Sequence, residues 1–166
     1  MNEHAGLGAL LVELGKHRYE IVHTGSGDGD CHLSEAVVRS IELEHTYLLT
    51  ASDGWIQAMQ TLVEAGVLES SPYMHQALHL ALRLHARFLG CRFGFDEDNN
   101  LAVQYDIYPD MTTEHVLLAL GQLYYVGSST FVLFEEVFGG KTVDDAPIDL
   151  ALADASQPAA SSTTMT

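Results

Sequence analysis

Apolar residues recur along this chain with two different periods, and the switches between them predict its elements. Leu7, Leu10, Leu11 and Leu14 fall at the i, i+3, i+4, i+7 spacing of an amphipathic helix over residues 5–16, closed by Gly15. Tyr19–His23 reads as a short strand that runs into the loop TGSGDGD, whose glycines and aspartates mark a turn. From Ala36 to Thr50, Ile41, Leu43 and His45 alternate with Glu42 and Glu44, which predicts a half-buried strand, with Tyr47, Leu48 and Leu49 as the next strand or its continuation. Ser52 and Asp53 offer N-cap side chains for a helix from Trp55 to Ala65, stopped by Gly66, with Ile56, Met59, Leu62 and Val63 on one face.

The stretch from Tyr73 to Phe138 is the centre of the pattern. In the predicted helix Tyr73–Leu89, the residues Leu78, Leu80, Leu82, Leu84 and Phe88 go most of the way round. They leave a narrow polar stripe of Gln76, His79, Arg83 and Arg87. A helix apolar on nearly all sides buries more than one face, which predicts a partner subunit. Phe93 and Phe95, then Leu101, Val103, Tyr105 and Ile107, alternate as two strands joined by Asp96–Asn100, and Pro109 ends the second. Thr112 or Thr113 caps a last helix that reaches Phe138, with the weak helix formers Gly127 to Thr130 predicting a bend or break. Past Gly140 the chain turns acidic and then rich in serine and threonine. The expected organisation is one α+β domain over residues 1–140 and a disordered tail over 141–166.

Composition narrows the function. The 166 residues carry 23 acidic and 7 basic side chains, a formal net charge of −16. Such a field repels phosphate backbones and anionic lipid, which argues against nucleic-acid and membrane-surface partners. No stretch approaches a run of consecutive apolar residues long enough for a transmembrane helix, and MNEHAG lacks a secretory start, so a cytoplasmic protein is expected. Cys31 and Cys91 lie too far apart for a metal motif, and Cys91 reads as a buried small hydrophobe.

No candidate chemistry survives inspection. Asp96, Asp98 and Asn100 stand at the first positions of a calcium loop, but Leu101 replaces the required glycine and Ile107 the bidentate glutamate. Gly25–Asp30 (GSGDGD) has the wrong spacing for a phosphate loop, and Asp28 and Asp30 would repel a phosphate. His75 and His79 share metal-compatible i, i+4 spacing with no carboxylate beside them. No serine or cysteine has the setting of a nucleophile. No catalytic residue, metal site or cofactor is expected.

The segment FGFDEDNNLAVQYDIYPDMTTEHVLLAL, preceded by a helix bearing Leu7, Leu10, Leu11 and Leu14, resembles the class I chaperones of type III secretion. A related chaperone-like bacterial family shares that fold. The resemblance covers about residues 5–138, with two departures: an extra predicted helix within Ser52–Ser71 and a longer tail. It implies an antiparallel sheet packed with helices, homodimeric through the central helix and the strand beside it: Leu78, Leu82, Leu84, Phe88, Leu101, Val103 and Tyr105. It also implies an effector-holding protein without catalysis, whose partners are secreted effectors and the export ATPase of the secretion system. The client surface would be the apolar face of the first helix and early strands: Leu7, Leu10, Leu11, Leu14, Ile41, Leu43, Tyr47 and Leu49. Amphipathic elements normally exist to be buried, so core is the competing reading for those eight. The alternatives for function are a chaperone-like regulator of a folded partner and a metal- or nucleotide-dependent enzyme.

Overall fold

The computed structural model describes residues 5–26, 33–52 and 54–155. Helix α1 (Ala5–Gly15) leads into strands β1 (Tyr19–Ser26), β2 (Leu33–Ser40), β3 (His45–Ser52) and β4 (Trp55–Val63). After these come helices α2 (Ala65–Ser70) and α3 (Met74–Arg87), the hairpin β5 (Cys91–Phe95) and β6 (Leu101–Ile107), and helices α4 (Thr113–Phe138) and α5 (Asp145–Ala155). The strands form one antiparallel sheet in the order β1-β2-β3-β4-β6-β5. The fold is therefore α+β, an antiparallel sheet packed with helices, as expected.

Alternation along the strands builds the core. Ala36 and Val38 of β2, Tyr47 and Leu49 of β3, Ile56, Ala58 and Leu62 of β4, and Leu101, Val103 and Ile107 of β6 are all buried in one cluster. Helix α1 packs across β1 to β4 and supplies Leu7, Leu11 and Leu14 to that cluster, while α4 packs on β4 and β6 and supplies Leu120, Leu123 and Phe134. By length and composition α4 could cross a membrane, but its inner face is buried in this core. Helix α3 runs beside the edge strand β5, where the Phe93 amide donates to His85 Nδ1 at 3.2 Å. That contact uses one of the outward-facing amides of the edge strand.

Two local predictions hold in detail. The Asp96–Asn100 connection is a self-bonded turn: Asp96 Oδ1 accepts from the amides of Asp98 (3.0 Å) and Asn100 (2.8 Å). Asn99 sits at φ 62°, which asparagine tolerates, and Asn100 Oδ1 accepts from the Ala65 amide at 2.9 Å, tying the hairpin to the start of α2. At α4, Thr112 Oγ1 accepts from the His115 amide at 3.3 Å as the N-cap.

Four expectations are corrected. Residues 55–63 form strand β4, not a helix. Ser52 pairs with Trp55 across the sequence Asp53-Gly54, and Gly54 has φ 83°. An Asp-Gly pair between two extended runs is a strong hairpin signal, and the spacing of Ile56, Met59 and Leu62 suits a helix only because Met59 is buried on the opposite sheet face. The alternation of Ile41, Leu43 and His45 is not a strand: residues 41–44 are a turn, where Glu44 takes φ 50°, and Tyr47–Leu49 belong to the next strand. The break expected near Gly127 is absent, because α4 is continuous from Thr113 to Phe138. A Cβ at Gly127 would run into the carboxamide of Gln60, so this glycine lets helix and sheet approach closely.

The fourth correction concerns the tail, which bears on the central helix. Helix α5 docks through Ile148 and Ala151, and Val143 just before it is buried too, so residues 143–155 belong to the folded domain. Arg83 meets Asp145 at 2.7 Å, and Arg87 meets Asp145 at 2.9 Å and Asp149 at 2.5 Å. Helix α5 packs mainly on α4, and these ion pairs tie it to the polar stripe of α3. Leu84, Phe88, Leu101 and Val103 are buried in the core and Leu78 and Tyr105 partly so, leaving Leu82, 70% exposed, as the outward leucine of that expected dimer interface. Strand β6 lies inside the sheet, so it has no free edge for pairing.

Candidate functional site: an apolar groove beside the first helix

Small residues on α1 open a groove. Gly6 and Ala9 face the sheet where larger side chains would fill the space over Ile56, and a Cβ on Gly6 would only reach ordinary contact with Ile56 Cδ1 at 3.9 Å. The gap that remains has a volume of about 610 Å³. Its second wall is the end of β6 and the turn after it, Ile107, Tyr108 and Pro109, and its floor is closed by Met111, Thr113 and Val116 at the start of α4. Pro109 ends the β6 ladder and Thr112 starts α4, so turn and cap chemistry set this wall.

Trp55, the one tryptophan of the chain, stands at the mouth. Its ring lies 6.2 Å from that of Tyr108, and the Arg92 guanidinium sits over it at 5.5 Å. Arg92 is itself paired with Asp106. The indole is therefore held from two sides, which makes it a preorganised apolar surface. Glu13 is the charged residue of the lining; Lys16 at 2.7 Å holds its carboxyl below the usual range, with His17 adding to the effect.

Of the eight expected client-binding residues, Leu10 alone lines this groove. Leu7, Leu11, Leu14, Tyr47 and Leu49 are buried beneath α1 and α4, so an arriving segment cannot touch them. Ile41 and Leu43 sit in the β2–β3 turn, the first 57% exposed and the second half-buried. Trp55, Tyr108 and Met111 belong to the groove and escape the sequence pattern, which puts Trp55 in a helix and Met111 in a linker. The free edge of the sheet is β1, where Glu20 to Thr24 are largely exposed, and among the described residues no strand pairs with its outer side.

Three further groups of polar side chains lie outside the groove. His45 Nε2, Tyr47 Oη and Gln60 Oε1 are buried without hydrogen-bond partners under α4. The His45 ring lies 5.0 Å from Tyr47 and 5.1 Å from Tyr124, edge-on to both. Burial holds the His45 imidazole below its ordinary pKa and pushes the Tyr47 phenol far up. His75 and His79 lie on α3 beside Arg83, Lys141 and Val143, with no carboxylate, and among the described residues no group of three or more ligating side chains could hold a metal. Cys91 is 2% exposed and its thiol is pushed up to about 12 by burial, which makes it unreactive. Most of the GSGDGD loop, and Cys31, lie outside the described residues.

No protein-family model matches the chain, and no curated protein matches it. A solved structure similar to it is the crystal structure of an uncharacterized protein from Methanothermobacter thermautotrophicus. It is 17% identical, with a TM-score of 0.43, over 76% of this chain and 99% of that one. A likeness at that level carries no argument about function.

Proposed function

We propose that this chain is a binding protein without turnover, which holds an extended apolar segment of another protein in the manner of the class I type III secretion chaperones. The groove carries the reading: about 610 Å³, with walls that are apolar except at Glu13 and Thr113 and a rigid indole at its mouth. A bound unfolded segment needs both its side chains buried and its backbone paired. The groove takes apolar side chains, and the unpaired edge of β1 takes backbone. The net charge of −16 keeps such a protein soluble while these surfaces are open. In this reading the clients are secreted effectors, the export ATPase receives the loaded complex, and the work is done in the cytoplasm.

Because Trp55 is the sole tryptophan and stands in the groove, its emission reports occupancy directly. Tryptophan-free extended peptides carrying spaced leucine and phenylalanine should give a saturable blue shift, and Leu10→Asp should abolish it. Peptides that leave the emission unchanged at high micromolar concentration would refute the reading.

A further inference from the structure

The groove beside α1 is lined by one charged side chain, Glu13, and its carboxylate is only half satisfied. Lys16 Nζ lies 2.7 Å from Oε2, whereas His17 Nε2 stands 3.7 Å from Oε1, beyond hydrogen-bonding reach. Oε1 is therefore open to a donor. The carboxyl is held below its usual range, chiefly by Lys16, so it is ionised at neutral pH. Lys16 is itself 63% exposed, which makes it a loose and exchangeable partner. Asp110 and Glu114 stand next in the chain to the lining residues Met111 and Thr113. Both are exposed, and among the described residues neither has a cationic partner.

The aromatic wall adds a second preference. Trp55 and Tyr108 both line the groove, and the faces of such rings attract cations. The fold makes this arrangement once for itself: Arg92 lies over the Trp55 ring at 5.5 Å while paired with Asp106. A guanidinium suits such a place better than an ammonium, because it is planar and more weakly hydrated.

We infer that the segment held in this groove carries an arginine among its apolar residues, whose guanidinium donates to Glu13 Oε1 beside Trp55 and Tyr108. The inference rests on the reading of the groove as a client site and names the clients it takes: apolar segments that are also basic. The apolar lining receives leucine or phenylalanine, and the single carboxylate fixes their register. A wholly apolar segment takes water from Glu13 without offering it a new partner, and an acidic one is repelled. The net charge of −16 draws basic segments from a distance and acts in the same direction.

Isothermal titration calorimetry of the full chain with matched tryptophan-free peptides tests it. The peptides share spaced leucine and phenylalanine and differ at one central position, which is arginine, glutamine or glutamate. The arginine peptide should bind at least about tenfold tighter than the glutamine peptide, and the glutamate peptide weakest of all. Moving the arginine to the end of the peptide should lose most of that gain at unchanged net charge. Glu13→Gln should bring the arginine-to-glutamine ratio down to about threefold or less, and Lys16→Gln should enlarge it. Glu69→Gln makes the same charge change on α2, at the other end of β4, and should leave the ratio as it is. Should Glu13→Gln perturb α1, the peptide series on the wild-type chain still decides. Equal affinities for the arginine and glutamine peptides would overturn the inference and leave the groove a general apolar site. So would a ratio that survives Glu13→Gln, or one that Glu69→Gln lowers as much. If no peptide of any charge binds, the client reading of the groove falls and the inference with it.

Discussion

Replacing Ile148 by alanine separates a docked helix from an acidic tail. Ile148 has no exposed surface and sits in the core cluster beside Val143 and Ala151. The substitution removes three carbons, about 2.4 kcal/mol at roughly 0.8 kcal/mol per methylene, and the unfilled space brings the loss into the range of about 2–5 kcal/mol. The ion pairs from Arg83 and Arg87 cannot supply an equivalent sum. Asp145 and Asp149 are 66% and 65% exposed, so solvent and salt screen these pairs heavily. Apolar burial therefore decides the docking of α5. For a chain of this length the expected fall in melting temperature is about 5–15 °C, read by circular dichroism. Asp145→Asn should lower it by no more than a few degrees, with the difference vanishing at high salt. A melting temperature for Ile148→Ala within about 2 °C of wild type, less than 1 kcal/mol on the same scale, would refute the docking argument.

The buried groups supply three more tests. Burial holds the His45 pKa below its ordinary value of about 6.5, so the unfolded chain takes up this proton first. Stability is full above that pH and is lost as pH falls through the folded value, and His45→Gln should flatten this part of the stability–pH profile. Gly127→Ala gains about 1 kcal/mol of helix propensity but forces the Gln60 carboxamide aside at an overpacking cost of about 1–3 kcal/mol. It should destabilise in urea titrations, and Gln60→Ala in the same chain should recover the loss; a Gly127→Ala chain as stable as wild type contradicts the packing. With Cys31 changed to serine, Cys91 should resist alkylation at mildly alkaline pH until the chain is unfolded, since burial raises its pKa to about 12. Labelling of the folded protein at the rate of a free thiol would show that the site is open.

The elements legible in the chain are those whose signals are local. The Asp96–Asn100 turn, the Thr112 cap and the stop at Gly90, which takes φ 85°, each rest on side chains within a few residues. Strand β4 also has a local signal, Asp53-Gly54, but a run of nine residues fits both periods when both of its faces are buried. The turn at residues 41–44 has none, since its Ile-Glu-Leu-Glu sequence carries the alternation of the strands straight through it. Helix α5 is hidden because Ile148 and Ala151 dock against a core that only the fold assembles, and its composition alone reads as solvated. The groove is half legible. Leu10 stands out by its place on an amphipathic helix, but the space beside it comes from Gly6 and Ala9 meeting strand ends that only the fold brings together.

Site-specific photo-crosslinking tests the central claim, that the groove beside α1 holds a client segment, most directly. A benzophenone side chain at position 10 stands in the groove, and one at position 12 replaces Val12, 66% exposed on the same helix but not part of the lining. In the native host, position 10 should give one dominant adduct whose crosslinked peptide is an extended apolar segment of a single protein, and position 12 should give little of it. Equal adducts at both positions, or none at position 10, would contradict the account.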